Sequence, residues 1–253
     1  MQDVREIEER LKSLEAKLLG IQKELQATEK IAKQLQGLVT QNKFPQVTGI
    51  EFLSRYIPGE QSRAEGFDVF VNSQKNSMWF FYFSLKSYGL SSALFQTYLL
   101  LQSRSFFEQA DARPQEAVDI LLKDFPLDQD PEARVYVAHL HLSSLKWTEC
   151  SIGNDVLILE RKQQAAHWSA ASEIPVESRE AGHQIAPGTR LFFANRANLA
   201  AQKEYESSQS FAELKDDFNS MLFSFENRER KSKTPNDICF WALNISPKKI
   251  HLA

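Results

Sequence analysis

The first forty residues carry an apolar residue every three or four positions, with charged and polar residues between them. The apolar positions alternate between spacings of three and four, at Val4, Ile7, Leu11, Leu14, Leu18, Ile21 and Leu25. This is the a/d spacing of a heptad repeat, and so narrow an apolar stripe on a long helix is best buried against a second copy. We therefore predict a coiled-coil helix over residues 1–43 that forms a homodimer.

The orientation of this coiled coil stays open between parallel and antiparallel. In a parallel pair Arg10 would face Glu15 of the partner subunit, which is favourable, whereas Glu24 would face Glu29 of the partner subunit, which is repulsive. The apolar stripe also widens from Ile31 onward, which suits a helix that packs on its own globular domain. A monomeric helix folded back on the domain is therefore the alternative to a dimer.

Residues 44–253 form the second predicted unit, a globular domain. Runs of β-branched and aromatic residues predict strands over Thr48–Ile57, Phe67–Asn72, Met78–Leu85, Arg134–Leu145, Asp155–Glu160, Arg190–Ala194 and Asp237–Ile245. Helical spacing predicts helices over Leu90–Ala110, over Pro114–Phe125 and from Phe211 to Phe225. This order of strands and helices predicts an α+β fold with mostly antiparallel sheets.

Composition and charge narrow the classes of function. The net charge is −3 over 253 residues, which gives no electrostatic reason to expect a nucleic-acid partner. No apolar run approaches the length that crosses a bilayer, and the charged start is unlike a secretory signal. The two cysteines, Cys150 and Cys239, are too few for a disulfide framework. We expect a cytoplasmic protein without direct membrane insertion.

Five segments in order resemble the metal-dependent (PPM) serine/threonine phosphatase family, and most closely its bacterial SpoIIE-like branch. They read LQGLVTQNKFPQVTGIEFLSRYIPGE, RAEGFDVF, FSLKSYGLSSAL, APGTRLFFANR and NDICFWALNI. The resemblance implies an antiparallel β-sandwich flanked by helices and a role in signal transduction. It also implies a site in which aspartates hold two divalent cations, which bridge the water that attacks the phosphate.

The positions that match this aspartate cluster have lost most of their carboxylates. They are Glu65, Gly66, Asp68, Ser84, Asn195, Arg196, Asn236 and Asp237, with Asn195 or Arg196 at one aspartate position. Of the matching carboxylates, Glu65 stands at the first metal position and Asp68 at the second aspartate of that segment. Two carboxylates without their partners do not make a two-metal site. We therefore expect a catalytically inactive pseudophosphatase that holds no metal or other cofactor and binds a protein partner.

Two other functions remain open. An active phosphatase could rebuild its metal site from Glu65, Asp68, Asp237 and the histidines; His139 and His141 lie two apart on a strand and so share a face. We interpret this pair as part of an exposed sheet face, and His183 as a loop residue. The third function is a structural or assembly protein driven by the coiled coil.

Overall fold

The computed structural model describes residues 2–40, 46–57, 63–74, 76–109, 113–124, 134–152, 156–162, 165–170, 181–195, 213–231, 238–246 and 251–252. Its helices are α1 (Gln2–Thr40), α2 (Gly89–Gln109), α3 (Pro114–Asp124) and α4 (Leu214–Glu229). Its strands are β1 (Val47–Thr48), β2 (Ile50–Ile57), β3 (Arg63–Asn72), β4 (Ser77–Tyr88), β5 (Arg134–His141), β6 (Lys146–Ile152), β7 (Val156–Lys162), β8 (Ala165–Ala170), β9 (Ala181–Gln184), β10 (Thr189–Asn195), β11 (Ile238–Ile245) and β12 (His251–Leu252).

These strands form two antiparallel sheets, which confirms the predicted α+β class. One sheet has the order β12-β1-β2-β11-β10-β7-β8 and the other the order β3-β4-β5-β6-β9. Neighbouring strands in the five-stranded sheet pair as antiparallel ladders, so residues directly opposite each other share a face. This register decides which side chains meet between the sheets.

The main core lies between the two sheets and is built from aromatic side chains. Trp241 of β11 stacks against Phe80 of β4 at a ring-centroid distance of 5.1 Å and against Phe193 of β10 at 4.8 Å. Side chains along a strand alternate between the two faces of the sheet, so Tyr82, two residues after Phe80, also points into this core, as does Tyr136 opposite it. The candidate site lies next to this aromatic layer.

Helices cover the outer faces of both sheets. Helices α2 and α3 pack on the five-stranded sheet through a second buried cluster that includes Trp79, Leu99 and Val118. Helix α4 packs on the other sheet through Phe218 and Phe225. None of the helices in the described part of the chain combines the length and apolarity that a membrane crossing requires.

Helix α1 confirms the predicted N-terminal helix. It contacts α2 and β3. Every side chain from Arg10 to Ala27 is exposed, including the heptad leucines Leu11 and Leu18, at 53% and 62% exposure. Whether this helix forms a coiled coil stays a prediction.

Several elements differ from the sequence expectations. The strand predicted to end at Leu85 continues to Tyr88, so the segment SLKSY is strand and the helix begins at Gly89. His183, expected in a loop, lies in strand β9 opposite Trp147. Strands β6, β8, β9 and β12 were not predicted, since none carries a continuous apolar run.

Candidate functional site

Three polar residues, Glu65, Ser84 and Arg134, lie side by side across strands β3, β4 and β5 at one end of the aromatic core. Together with Asn195 of the other sheet, they form what we call the polar row. Glu65 on β3 lies opposite Ser84 on β4, and Ser84 lies opposite Arg134 on β5. The three residues share the face that points to the other sheet, because Phe67, Tyr82 and Tyr136 on this face belong to the inter-sheet cluster. Glu65 is 3% exposed and Ser84 is fully buried.

Asn195 reaches this row from the opposite sheet. It ends strand β10, which begins at a tight turn where Gly188 has a φ of 86°, a conformation that suits glycine. The side-chain amide of Asn195 donates a hydrogen bond to Glu65 Oε2 at 3.4 Å. The structure thus brings together three of the positions that resemble metal ligands, namely Glu65, Ser84 and Asn195.

The Glu65 carboxylate binds uncharged donors on both oxygens. The Tyr82 hydroxyl donates to Oε1 at 3.1 Å, while the Asn195 amide donates to Oε2. Burial, followed by the negative charge of Glu65, raises the pKa of Tyr82 well above its usual value, so the phenol keeps its proton. Ser84 Oγ is buried and has no hydrogen-bond partner among the described residues.

Asp68 does not join this row. It lies three residues after Glu65 on the same strand and therefore points to the opposite face, toward the helices. There its carboxylate accepts hydrogen bonds from Arg104 of α2 at 2.5 and 3.1 Å and from the Val69 amide at 2.9 Å. Gly66, between the two carboxylates, is buried. The two carboxylates that were expected to persist are thus separated by the sheet.

The remaining positions lie outside the described residues: Arg196, Asn236 and Asp237. Their neighbours Asn195 and Ile238 are described, and the strands that carry them, β10 and β11, pair with each other. The sequence matches at these three positions therefore stay predictions.

His139 and His141 were expected on an exposed sheet face, but both are half-buried, and they build no metal site in the described part of the chain. His139 packs on Trp79 at a ring-centroid distance of 4.4 Å, and His141 Nδ1 lies 2.8 Å from Ser144 Oγ. Burial, and then the nearby charges of His141 and Lys146, lower the pKa of His139 to about 4. Among the described residues no three His, Cys, Asp or Glu side chains form a group that could hold a metal ion.

These contacts do not fit a pair of divalent cations. Mg²⁺ and Mn²⁺ sites rely on charged oxygen ligands, and two-metal catalysis needs several of them around both ions. Among the described residues of the row Glu65 is the one carboxylate, and both of its oxygens already accept hydrogen bonds. Ser84 and Asn195 contribute uncharged oxygens. The arrangement can hold the two sheets together and orient hydrogen bonds.

Two residues of the candidate site, Tyr82 and Arg134, were not predicted from the sequence. Tyr82 reads as one more aromatic in the run Met78–Phe83, and Arg134 as the polar start of a strand. Tyr82 could have been recognised from the sequence, because side chains two residues apart on a strand share a face, and Tyr82 lies two residues before Ser84. Arg134 joins them only through the pairing of β4 with β5.

No protein-family model matches the chain, and no curated protein matches it. Solved structures do match it. The RsbU and RsbW domains of Rv1364c from Mycobacterium tuberculosis superpose with a TM-score of 0.64 at 15% identity, over 81% of this chain and 64% of that one. The PP2C phosphatase domain of SpoIIE from Bacillus subtilis, solved with a fragment of its regulatory domain, gives 0.62 at 10% identity, with 81% and 64% coverage.

A third similar structure is the SiaA-PP2C domain of Pseudomonas aeruginosa, with a TM-score of 0.60 at 9% identity, over 90% of this chain and 98% of that domain. The chain spans less than two thirds of the first two structures. At these identities the likeness concerns the fold. The chain has a SpoIIE-like PPM-type phosphatase fold, as its sequence segments predicted.

Proposed function

We propose that this chain is a catalytically inactive phosphatase-like signalling module, a pseudophosphatase that dimerises and binds a protein partner. The observation that carries the proposal is the hydrogen bond from the Asn195 amide to Glu65 Oε2. It joins two positions that resemble metal ligands, and the amide donor now satisfies the carboxylate that a cation would otherwise bind.

The chemistry of the row supports the loss of activity. A catalytic site of this fold class needs charge to hold divalent ions and to lower the pKa of the attacking water. Ser84 and Asn195 supply no charge. Glu65, engaged by Tyr82 and Asn195, is 3% exposed and so offers little access to solvent ions.

Two exposed apolar surfaces support a binding role. Helix α1 exposes its heptad residues from Leu11 to Leu25, and their spacing fits a second copy of the same helix. Helix α2 exposes Leu94, Tyr98 and Leu101, at 58%, 44% and 61%. These three residues are four and three apart and form one outward stripe, which is a suitable contact surface for a protein partner.

Metal titration beside an activity assay tests the inactive state. The purified full chain is titrated calorimetrically with Mn²⁺ and Mg²⁺ and assayed on a generic phosphate ester. We expect no binding heat and no metal-dependent turnover. Turnover that disappears in Glu65→Gln would show an active, rebuilt site, and the proposal would be wrong. Glu65→Gln is a suited control because glutamine has the same size and removes only the charge.

Partner binding is tested by comparing variants in capture experiments. Proteins retained by the wild-type chain should be lost with Leu101→Glu, which places a charge in the α2 stripe. They should be retained with Phe223→Glu, since Phe223 is equally exposed, at 67%, but lies on α4. If both variants retain the same proteins as the wild type, the α2 stripe is not the partner surface. That result would favour the alternative of a structural or assembly protein that acts through helix α1.

A further inference from the structure

The polar row contains a cation as well as a carboxylate. Arg134 and Glu65 lie on the same face, each directly opposite Ser84. Adjacent strands are about 4.8 Å apart, so the Cα atoms of Glu65 and Arg134 are separated by about 10 Å. A glutamate and an arginine side chain that extend toward each other can close this gap, and the small side chain of Ser84 between them leaves room.

Glu65 and Arg134 both interact electrostatically with one hydroxyl, that of Tyr82. Arg134 is half-buried, and its Nε is inaccessible to solvent. Burial is the largest cause of the raised pKa of Tyr82; the charge of Glu65 raises the pKa further, whereas the charge of Arg134 lowers it. Coulombic interactions weaken with distance, so both charges act near the Tyr82 hydroxyl that donates to Glu65.

An arginine suits a buried cationic role better than a lysine does. Its guanidinium keeps its charge in nearly every protein environment and donates several hydrogen bonds in a fixed plane. Hydrogen bonds from neutral donors leave the charge of a buried carboxylate uncompensated, so a cation near Glu65 would stabilise the folded state. Asp68 cannot compete for this guanidinium, because it lies on the other face and binds Arg104.

We propose that Arg134 is the resident cation of the row, with its guanidinium supplying the positive charge that divalent ions supply in an active PPM-type phosphatase. The inference rests on the proposed function and explains how the site remains stable without metal. The charge of Glu65 is balanced within the protein, and a divalent cation entering the row meets the guanidinium as a like charge. Arg134 acts here as a positioning and charge-balancing residue.

A double-mutant cycle tests this charge balance. The thermal midpoints of the wild type, Glu65→Gln, Arg134→Gln and the double variant are compared. We expect Arg134→Gln to lower the midpoint by roughly 6–10 °C, because it leaves the buried Glu65 carboxylate without a compensating charge. The double variant should lose clearly less than the sum of the single losses, because it leaves no uncompensated charge. Additive losses would overturn the proposal.

Arg113→Gln is the matched control for the arginine change. Arg113 lies at the start of α3, remote from the row, with 64% of its side chain exposed. Its replacement should move the midpoint little, both in the wild type and in the Glu65→Gln background. A coupling between Arg113 and Glu65 as large as that of Arg134 would also overturn the proposal.

A second measurement asks whether the guanidinium excludes cations. Ser84→Asp adds a second carboxylate to the row, and the Mn²⁺-induced midpoint shift is compared with and without Arg134→Gln. We expect a larger shift when Arg134 is removed, and no difference between the two variants would count against cation replacement. Metal-dependent turnover by the wild type would overturn the proposed function whatever the cycle shows. An additive cycle in an inactive protein would overturn only the role of Arg134.

Discussion

Asp68 and Arg104 join strand β3 to helix α2 on the face of the sheet that points away from Glu65. The Asp68 side chain is 4% exposed, while the Arg104 side chain is 45% exposed. The hydrogen bond to Asp68 is the main cause that raises the pKa of Arg104 above its usual value, so the guanidinium keeps its charge. One strand thus carries a carboxylate of the polar row on one face and an anchor for the helix layer on the other.

Arg104→Met should destabilise the fold more than the same change at an exposed ion pair. Asp68 would remain buried with the Val69 amide as a donor, and we expect a loss of about 1–2 kcal/mol in the free energy of unfolding. Arg113→Met, which breaks the exposed pair with Glu116, should cost less than about 0.5 kcal/mol. Urea denaturation of both variants measures the difference. Equal losses would mean that Asp68 does not anchor α2.

The aromatic layer between the sheets should contribute much more to the free energy of unfolding than an exposed aromatic ring does. Trp241 is 1% exposed and stacks between Phe80 and Phe193, so Trp241→Ala should cost about 3–5 kcal/mol or prevent folding. Phe223→Ala removes an aromatic ring that is 67% exposed, and we expect a change within about 0.5 kcal/mol. Chemical denaturation distinguishes the two variants. A tolerated Trp241→Ala would contradict the packing described between the sheets.

The sequence predicted most of the fold because most of its strands are runs of β-branched and aromatic residues. It missed β6, whose inner face carries Glu149 between Trp147 and Ser151 and so lacks an apolar alternation. That polar position is explained only by tertiary contacts, since Glu149 Oε2 accepts from the Tyr136 hydroxyl at 2.7 Å and from Trp147 Nε1 at 2.9 Å. A strand with such an inner face cannot be recognised until its neighbours are placed.

The sequence predicted only part of the candidate site, because some of its residues are brought together only by strand pairing. Glu65, Ser84 and Asn195 stand in segments that match a family pattern along the chain, and the structure brings them together. The matching segment also predicted that Asp68 belongs to the site. Side chains alternate along a strand, however, so the side chain of Asp68 points to the opposite face. Arg134 has no local signal, because its place beside Ser84 depends on pairing between strands about 50 residues apart.

The low pKa of His139 should make stability depend on pH. In the folded state its pKa is about 4, whereas the ordinary value is 6.5, so between these values the unfolded chain binds more protons. The free energy of unfolding should therefore fall as the pH drops from about 6.5 to about 4. His139→Gln should flatten this part of the pH profile. NMR titration of the imidazole gives the pKa directly, and a value near 6.5 in the folded protein would contradict the prediction.

Leu18 and Leu19 offer a matched test of dimerisation, because both are exposed, at 62% and 55%, and adjacent on α1. Leu18 lies in the heptad seam and Leu19 outside it. Leu18→Glu would place two like charges in the dimer core and should convert a dimer to a monomer. Leu19→Glu adds the same charge outside the seam and should leave the dimer intact. Sedimentation velocity of the wild type and both variants measures the mass, and circular dichroism checks that each remains folded. A monomeric wild type, or an equal response to both substitutions, would contradict assembly through this seam.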